Sequence, residues 1–340
     1  VGGAFLIFAI LKIRKQFQSC PRETTIMGSA HILSLFLAFS IGELALRILS
    51  EPTAHGIRIA NITLRPTWTE IVDQSRNAID RADTRYSYFV FDEVLGWSVG
   101  KSRATPDGMY ASSAEGLRSS SVGLNLGDRQ ARFRVALIGD SNAFSLEVPF
   151  EESWGYHLQQ GLGDEVQVLN FGVDGYDLGQ TYLRFLRDVV PWQPDVVIIV
   201  FVRHDLVRAT MVYPFVAFGW HGYLVKPRFD VIEDSLELVN QPLPRLNDIL
   251  GASSVSDLPN IDYDAHYTRT DWTWRFDSGP YLLRLVTSVF PRWPAKDSLA
   301  VADMMTLNAR LLTEIVTAIE ERGAQPVVVY LPHPSGDNSL

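Results

Sequence analysis

The chain has 340 residues, enough for one large domain or two ordinary ones, and carries a formal net charge of -9. This acidic balance argues against nucleic-acid binding, because no basic stripe is available to neutralise phosphates. The single cysteine, Cys20, excludes an intramolecular disulfide framework and a cysteine-based metal cluster. Because the chain begins at Val1 rather than Met and ends soon after an apparent strand, we expect a fragment that is cut at both ends.

Two apolar segments at the N-terminus indicate a membrane anchor. Residues 1–11 are too short to cross a bilayer, which needs about 20 residues, so they form either the end of a spanning helix or a stray hydrophobic end. After a basic loop over residues 12–25, residues 26–49 are predicted to span the membrane, with a buried core helix as the alternative. Basic residues before this span and Glu51 after it predict that the remaining chain lies outside the cytoplasm, in the periplasm.

The next segment, residues 51–130, contains short strand-like and turn-like pieces separated by glycines and serines. We interpret it as a small β-rich domain between the membrane and the main domain, and call it the collar. Its residues alone indicate no chemistry. The main domain is predicted to occupy residues 131–340, with an irregular insertion over residues 207–297 that is rich in Pro, Trp and Tyr.

Strands and helices alternate in the main domain. The predicted strands are Phe133–Ile138, Val166–Phe171, Asp195–Phe201 and Pro326–Leu331. The predicted helices are Trp154–Gly161, Leu178–Val190 and a third with apolar residues at helical spacing from Val301 to Ile319, followed by Gly323. This alternation is typical of βαβ units and predicts an α/β fold with a parallel sheet.

Three turns carry polar or glycine residues just after a predicted strand. They are Gly139-Asp140-Ser141, Asn170 to Gly175, and Val202-Arg203-His204-Asp205. In open α/β sheets ligands bind at the carboxyl ends of the strands, so these turns are expected to form one site. A lone Gly-Asp-Ser is a weak signal, but three such turns at βα spacing are stronger.

The chain resembles the SGNH/GDSL hydrolase superfamily, and more closely its membrane-anchored bacterial members. The resemblance is carried by the three turns and by Glu43 with Arg47, Leu95-Gly96-Trp97, Glu115-Gly-Leu-Arg118, Pro194-Asp195-Val196 and Lys226-Pro-Arg228. It implies a three-layer α/β/α sandwich with a flavodoxin-like parallel sheet. It also implies serine-dependent ester chemistry through an acyl-enzyme, without a cofactor or a metal.

Carried over to this chain, the resemblance makes Ser141 the nucleophile. The oxyanion hole would comprise the backbone N–H of Ser141, the backbone N–H of Gly172 and a side chain of the third turn. That side chain is His204 here, where the family has asparagine. His204 either donates one N–H to the oxyanion or merely packs and hydrogen-bonds Asp205; both alternatives stay open.

Three aspartates are further candidates. We interpret Asp140 as an acceptor that stabilises its turn, although it also lies where substrate would bind. Asp174 either contacts substrate or forms an Asx-turn. Asp205, in the third turn, is also predicted to contact substrate.

The general base is not evident. The family's Asp-x-x-His does not occur in the 340 residues: Asp262 and His266 have the wrong spacing, and His333 follows the fourth strand directly. His157 and His221 are interpreted as structural or exposed. We therefore expect the dyad to lie beyond Leu340.

The sequence predicts an esterase or an O-acyl (acetyl) transferase that acts on a cell-envelope polysaccharide or an ester-bearing small molecule. The N-terminal span is predicted to contact membrane lipid. The alternative is a catalytically silent, membrane-anchored glycan-binding or scaffold protein, which the altered third turn favours. Aromatic residues of the insertion line a sugar groove or pack the insertion onto the sheet: Tyr213, Phe215, Phe218, Trp220, Trp272, Trp274 and Trp293. A nucleotide-binding Rossmann domain is disfavoured because no Gly-x-Gly-x-x-Gly follows the first strand.

Overall fold

A computed structural model describes residues 21–53, 56–64, 66–80, 87–218, 225–269, 272, 279–289 and 301–332. Several predictions concern residues outside this part: the first apolar segment, most of the basic loop, His221, His333, Trp220, Trp274 and Trp293. The chain divides into two compact units. The first comprises Val1–Arg65 with Arg275–Arg292, and the second Pro66–Trp274 with Trp293–Leu340.

The secondary structure is as follows. The described helices are α1 (Pro21–Leu49), α2 (Trp68–Asp80), α3 (Ser141–Phe144), α4 (Trp154–Leu162), α5 (Leu178–Arg184), α6 (Arg203–Arg208), α7 (Pro214–Phe218), α8 (Leu246–Leu250), α9 (Tyr281–Val289) and α10 (Val301–Glu320). The described strands are β1 (Ser50–Thr53), β2 (Gly56–Ile59), β3 (Ile62–Thr63), β4 (Phe89–Asp92), β5 (Gly96–Val99), β6 (Ala111–Ser112), β7 (Arg118–Ser119), β8 (Phe133–Gly139), β9 (Val166–Asn170), β10 (Val196–Val202), β11 (Phe229–Ile232), β12 (Ser235–Leu238) and β13 (Gln325–Leu331).

The first unit is built on α1, whose segment Thr25–Leu49 is long and apolar enough to cross a membrane and is exposed within the part of the chain that the structure describes. Strands β1, β2 and β3 follow as an antiparallel sheet. Near the end of α1, Glu43 accepts a hydrogen bond from the backbone N–H of Leu282 in α9 at 3.0 Å. Arg47 pairs with Glu43 at 2.8 Å, as the i, i+4 spacing predicts. Membrane orientation stays a prediction.

The second unit contains a four-stranded parallel sheet in the order β13-β10-β8-β9. Numbered along the chain, the strands lie in the order second, first, third and fourth from the β9 edge, which is a flavodoxin-like order. The predicted parallel sheet is therefore confirmed, and each predicted strand end lies within one residue of the observed end. Strand β8, which leads to Ser141, is an interior strand.

Helices pack against both faces of β8. Ala136 and Ile138 point to one face and belong to the same buried cluster as Ile315 of α10. Leu137 points to the other face, where a Cβ added to Gly155 of α4 would lie 3.0 Å from the Leu137 side chain. This double burial accounts for the uninterrupted apolar run of the strand.

Two segments have more varied structure than the sequence predicts. The predicted helix Leu178–Val190 is not one α-helix: α5 ends at Arg184 and a π turn (Phe185–Val189) follows. Pro191 lies just beyond and has no amide hydrogen with which to extend an α-helix. The predicted β-rich collar also contains the helix α2 beside its short strands. Thr67 and Glu70 form a capping box at the start of this helix, each side chain bonding the other's backbone N–H.

The predicted irregular insertion has an ordered core. Strands β11 and β12 form a hairpin whose two turn residues, Glu233 and Asp234, have φ of 48° and 63°. Tyr213 and Phe215 are buried in a cluster with residues such as Ile249, so these two aromatics pack the insertion rather than line a groove. The partly buried Trp272 packs against the same cluster.

Candidate functional site

The first site turn is shaped by a glycine that no other residue can replace without strain. Gly139 ends β8 with φ 141°, and a Cβ there would lie 2.1 Å from the carbonyl oxygen of Val200 on the neighbouring strand. The chain therefore leaves the sheet abruptly. Ser141, the predicted nucleophile, follows as the first residue of α3 and is half-buried.

Asp140 is the N-cap of α3. Its Oδ1 accepts hydrogen bonds from the backbone N–H groups of Asn142 at 2.9 Å and Ala143 at 3.4 Å. Its Oδ2 accepts one from the Asn142 side chain at 2.7 Å and lies 3.5 Å from the Ser141 hydroxyl oxygen. The buried Asp140 carboxylate thus stabilises the turn, in the way predicted for it. A contact between Asp140 and substrate stays a prediction.

The second turn packs directly on the first. A Cβ on Gly172 would lie 2.4 Å from the backbone nitrogen of Phe144, so glycine is required for this close approach. The Gly172 N–H, a predicted oxyanion donor, donates to the Asn170 side chain at 2.9 Å. Asn170 in turn donates to the carbonyl of Ala143 at 2.8 Å. Asn170 therefore joins the two turns, a role that the sequence interpretation did not assign to it.

The collar holds the far end of the second turn. The Trp97 indole donates to the carbonyl of Asp174 at 2.8 Å, and the Tyr176 hydroxyl donates to the carbonyl of Trp97 at 2.6 Å. Gln180 of α5 donates to the carbonyl of Leu95 at 2.7 Å. The Leu95-Gly96-Trp97 motif thus fixes the backbone around Asp174, whose half-buried side chain stays a candidate for substrate contact.

The third turn brings an exposed and a buried side chain together in the first turn of α6. His204 is exposed. Asp205 is buried, and its carboxylate accepts hydrogen bonds from the backbone N–H of Val202 at 2.9 Å and from Arg208 at 2.6 Å. Burial, and then the negative charge of Asp140, raise the pKa of Asp205 well above its usual range. The two hydrogen bonds engage both oxygens of Asp205, and a contact between Asp205 and substrate stays a prediction.

The Lys226-Pro-Arg228 motif holds the other end of α6. Lys226 is buried and paired with Asp177, and its ammonium group donates to the carbonyl of Arg208 at 3.0 Å. Arg228 donates to the carbonyl of Ala209 at 3.4 Å. Burial lowers the pKa of Lys226, and the nearby Asp177 carboxylate partly offsets this lowering. The motif is part of the family resemblance, but its role as a C-terminal cap has no local signal in the sequence.

A cavity of about 430 Å³ opens beside Ser141. It is lined by Ser141, Asn142, Ser145, Leu146, Glu147, Val148, Glu152 and Trp154. The Trp154 indole donates to the carbonyl of Asn142 at 2.8 Å, which fixes the ring at the cavity wall. Among the described residues, the lining combines apolar surface, hydroxyl groups and two carboxylates, and contains no lysine or arginine.

None of the described histidines is hydrogen-bonded to Ser141. His157 is exposed on α4, and His266 bonds the Thr210 hydroxyl at 3.0 Å. Within the described residues, the Ser141 hydroxyl has Asp140 as its neighbour at 3.5 Å and no hydrogen bond to a histidine. The roles predicted for Ser141, Gly172 and His204 therefore stay predictions.

No family model matches the chain, and no curated protein does. Among solved structures, a mutant of the esterase AlinE4 is 26% identical over 24% of this chain and 44% of its own, with a TM-score of 0.21. A catalytic mutant of Axe2, an acetylxylan esterase from Geobacillus stearothermophilus, is 15% identical over 58% of this chain and 75% of its own, with a TM-score of 0.23. The match spans less than half of AlinE4. Similarities with TM-scores this low do not establish a shared fold.

Proposed function

We propose that the chain is a serine-dependent esterase or O-acyltransferase of the SGNH/GDSL type, with Ser141 as its nucleophile and a three-layer α/β/α sandwich as its fold. The supporting observation is the position of Ser141. It begins a helix directly after an interior strand of a parallel sheet, and it lies at a cavity of about 430 Å³. The carboxyl ends of parallel strands are where open α/β folds bind their ligands.

In the proposed reaction, the Ser141 oxygen attacks the carbonyl carbon of an ester while a base removes the hydroxyl proton. The bond to the leaving alcohol then breaks, and the alcohol takes up a proton. Water or a second alcohol receives the acyl group from the serine in the second half of the reaction. Hydrolysis and acyl transfer share the acyl-enzyme and differ in this acceptor.

The developing oxyanion would be stabilised by the backbone N–H of Ser141 at the start of α3. For Gly172 to contribute, its N–H must exchange the bond to Asn170 for one to the oxyanion. A neutral His204 would donate one N–H, in place of the asparagine amide of the family. Asp140 and Asp205 would act by holding the first and third turns in position.

The proposed substrate is an ester on a cell-envelope polysaccharide or on a smaller hydroxylated molecule. We propose that α1 anchors the chain in the cytoplasmic membrane, with the second unit in the periplasm; its length and apolar composition support this. Protease treatment of spheroplasts tests the orientation. The second unit should be digested without lysis, and its protection until lysis would refute the periplasmic assignment.

Labelling with a fluorophosphonate tests the nucleophile in the full-length protein. Labelling is expected in the wild type and in Ser145→Ala, which removes another serine that lines the cavity. It is expected to disappear in Ser141→Ala. A folded wild-type protein that is not labelled, or labelling that survives Ser141→Ala, refutes the proposal.

The second candidate is a catalytically silent glycan-binding or scaffold protein. The engagement of the Gly172 N–H by Asn170, together with histidine in place of asparagine at position 204, favours it. A silent protein would bind acetylated oligosaccharides and would leave them intact, and Ser141 would not be labelled. Binding with turnover would exclude it.

A further inference from the structure

One buried arginine of the collar reaches the wall of the cavity. Arg118 ends the Glu115-Gly-Leu-Arg motif, and its side chain is buried. Its guanidinium group lies 4.8 Å from the ring centre of Phe144 and 5.0 Å from that of Tyr110. It donates hydrogen bonds to three backbone carbonyls, those of Phe144, Ser145 and Val148.

The segment bound by Arg118 is the loop that follows α3. Residues 145–148 are half of the residues that line the cavity beside Ser141. Two of them, Ser145 and Glu147, have φ of 62° and 70°, a left-handed conformation that non-glycine residues seldom adopt. Such a conformation persists only where the surrounding structure enforces it.

The collar supplies a second restraint on the same loop. The backbone N–H of Glu147 donates to the hydroxyl of Tyr110 at 2.9 Å. Carbonyls on both sides of Glu147 are thus held by Arg118, and its amide by Tyr110. A planar guanidinium can bind several carbonyls at once, whereas the ammonium group of lysine is a compact point charge with a different reach.

We infer that Arg118 is a positioning residue for substrate binding: it acts through residues 144–148, whose left-handed backbone it holds in place to form the cavity wall. This inference rests on the proposed function of Ser141, because the wall is useful only if substrate reaches that serine. Arg118 does not itself line the cavity.

The test compares Arg118→Lys with Arg184→Lys in the full-length protein. Both arginines are 3% exposed, but Arg184 donates to the Ser98 hydroxyl and the Gly116 carbonyl and does not bond the loop. In Arg118→Lys, amide hydrogen exchange over residues 144–148 should become faster. The Ser145 and Leu146 amides donate to carbonyls of α3, and these bonds should open more often when the loop is released. The KM for a test ester should rise about tenfold while kcat changes less, as expected when charged hydrogen bonds that shape binding are lost. Arg184→Lys should change neither.

If Arg118→Lys does not fold, Tyr110→Phe replaces it. That variant removes the bond to the Glu147 amide, keeps the ring, and should change loop exchange and KM in the same direction by a smaller factor. Loop exchange equal to that of the Arg184→Lys control, or an unchanged KM, overturns the inference. If the wild-type protein does not turn over any test ester, the proposed function is refuted instead. Amide hydrogen exchange of residues 144–148 would then still show whether Arg118 holds the loop.

Discussion

Replacement of Asn170 by alanine tests how the first two site turns are joined. Asn170 is 8% exposed and makes two hydrogen bonds, one from the Gly172 N–H and one to the Ala143 carbonyl. Alanine would leave both backbone groups without their partner, and Ala143 is fully buried. A buried polar group left unsatisfied costs about 1–3 kcal/mol, so Asn170→Ala should lower the free energy of unfolding by about 2–4 kcal/mol.

Asn240 provides a matched control, since it is 1% exposed and bonded in the same way. It accepts from the Arg228 N–H at 2.7 Å and donates to the Lys226 carbonyl at 2.8 Å. Both alanine variants should lower Tm by about 5–10 °C in thermal unfolding of the full-length protein. Asn170→Ala should slow fluorophosphonate labelling of Ser141 more than Asn240→Ala does, because Asn170 joins α3 to the second turn directly, whereas Asn240 acts only on the end of α6 through Lys226 and Arg228.

Two results would refute this reasoning. Equal labelling rates in the two variants would mean that Asn170 has only a general stabilising role. Faster labelling in Asn170→Ala would mean that the Asn170 side chain competes with the oxyanion for the Gly172 N–H, so that its removal activates the site.

Two further predictions concern buried charges. The raised pKa of Asp205 means that this carboxyl group stabilises the fold most below its unfolded pKa and less as pH rises through its folded pKa. As pH rises from about 4, the wild-type Tm should therefore fall relative to that of Asp205→Asn, and parallel Tm curves would contradict this. Lys226→Met should lower the free energy of unfolding by about 3–5 kcal/mol, because it leaves the Asp177 carboxylate buried without its partner. The double variant with Asp177→Asn should recover part of that loss in thermal unfolding, and simple additivity would contradict the pairing.

The central sheet could be predicted because its strands carry a strong local signal. Val135 to Ile138 form an uninterrupted apolar run between Arg134 and a glycine, as expected of a strand covered on both faces. Helix α2 was missed although Thr67 and Glu70 have the spacing of a capping box, since few apolar residues accompany them. In the insertion, the hairpin turn at Glu233 and Asp234 was not predicted, because it lies within a long aromatic-rich segment without clear periodicity.

The residues at the strand ends could be proposed as a site, but their supports could not. Strand ends determine where the turns lie, so the positions of Ser141 and Gly172 follow from the sheet pattern, whereas their roles come from the family resemblance. Arg118 and Lys226 reach their carbonyl partners through the fold, across 26 residues in the case of Arg118 and Phe144. A buried arginine cannot be distinguished from an exposed one in the sequence, because its neighbouring residues do not indicate which carbonyls will surround it in the fold.

The collar is for this reason part of the candidate site rather than a spacer. Phe144 of α3 and Tyr176, which follows the second turn, belong to one buried cluster with collar residues such as Trp97 and Tyr110. A domain cut at residue 131, where the strand–helix alternation begins, would keep Ser141 and lose the donors of Trp97 and Arg118. Ser145 and Glu147 would then have little to hold their left-handed backbone, and the cavity wall would relax. The precise placement that the proposed ester chemistry needs would therefore depend on residues that the sequence pattern assigns to a separate domain.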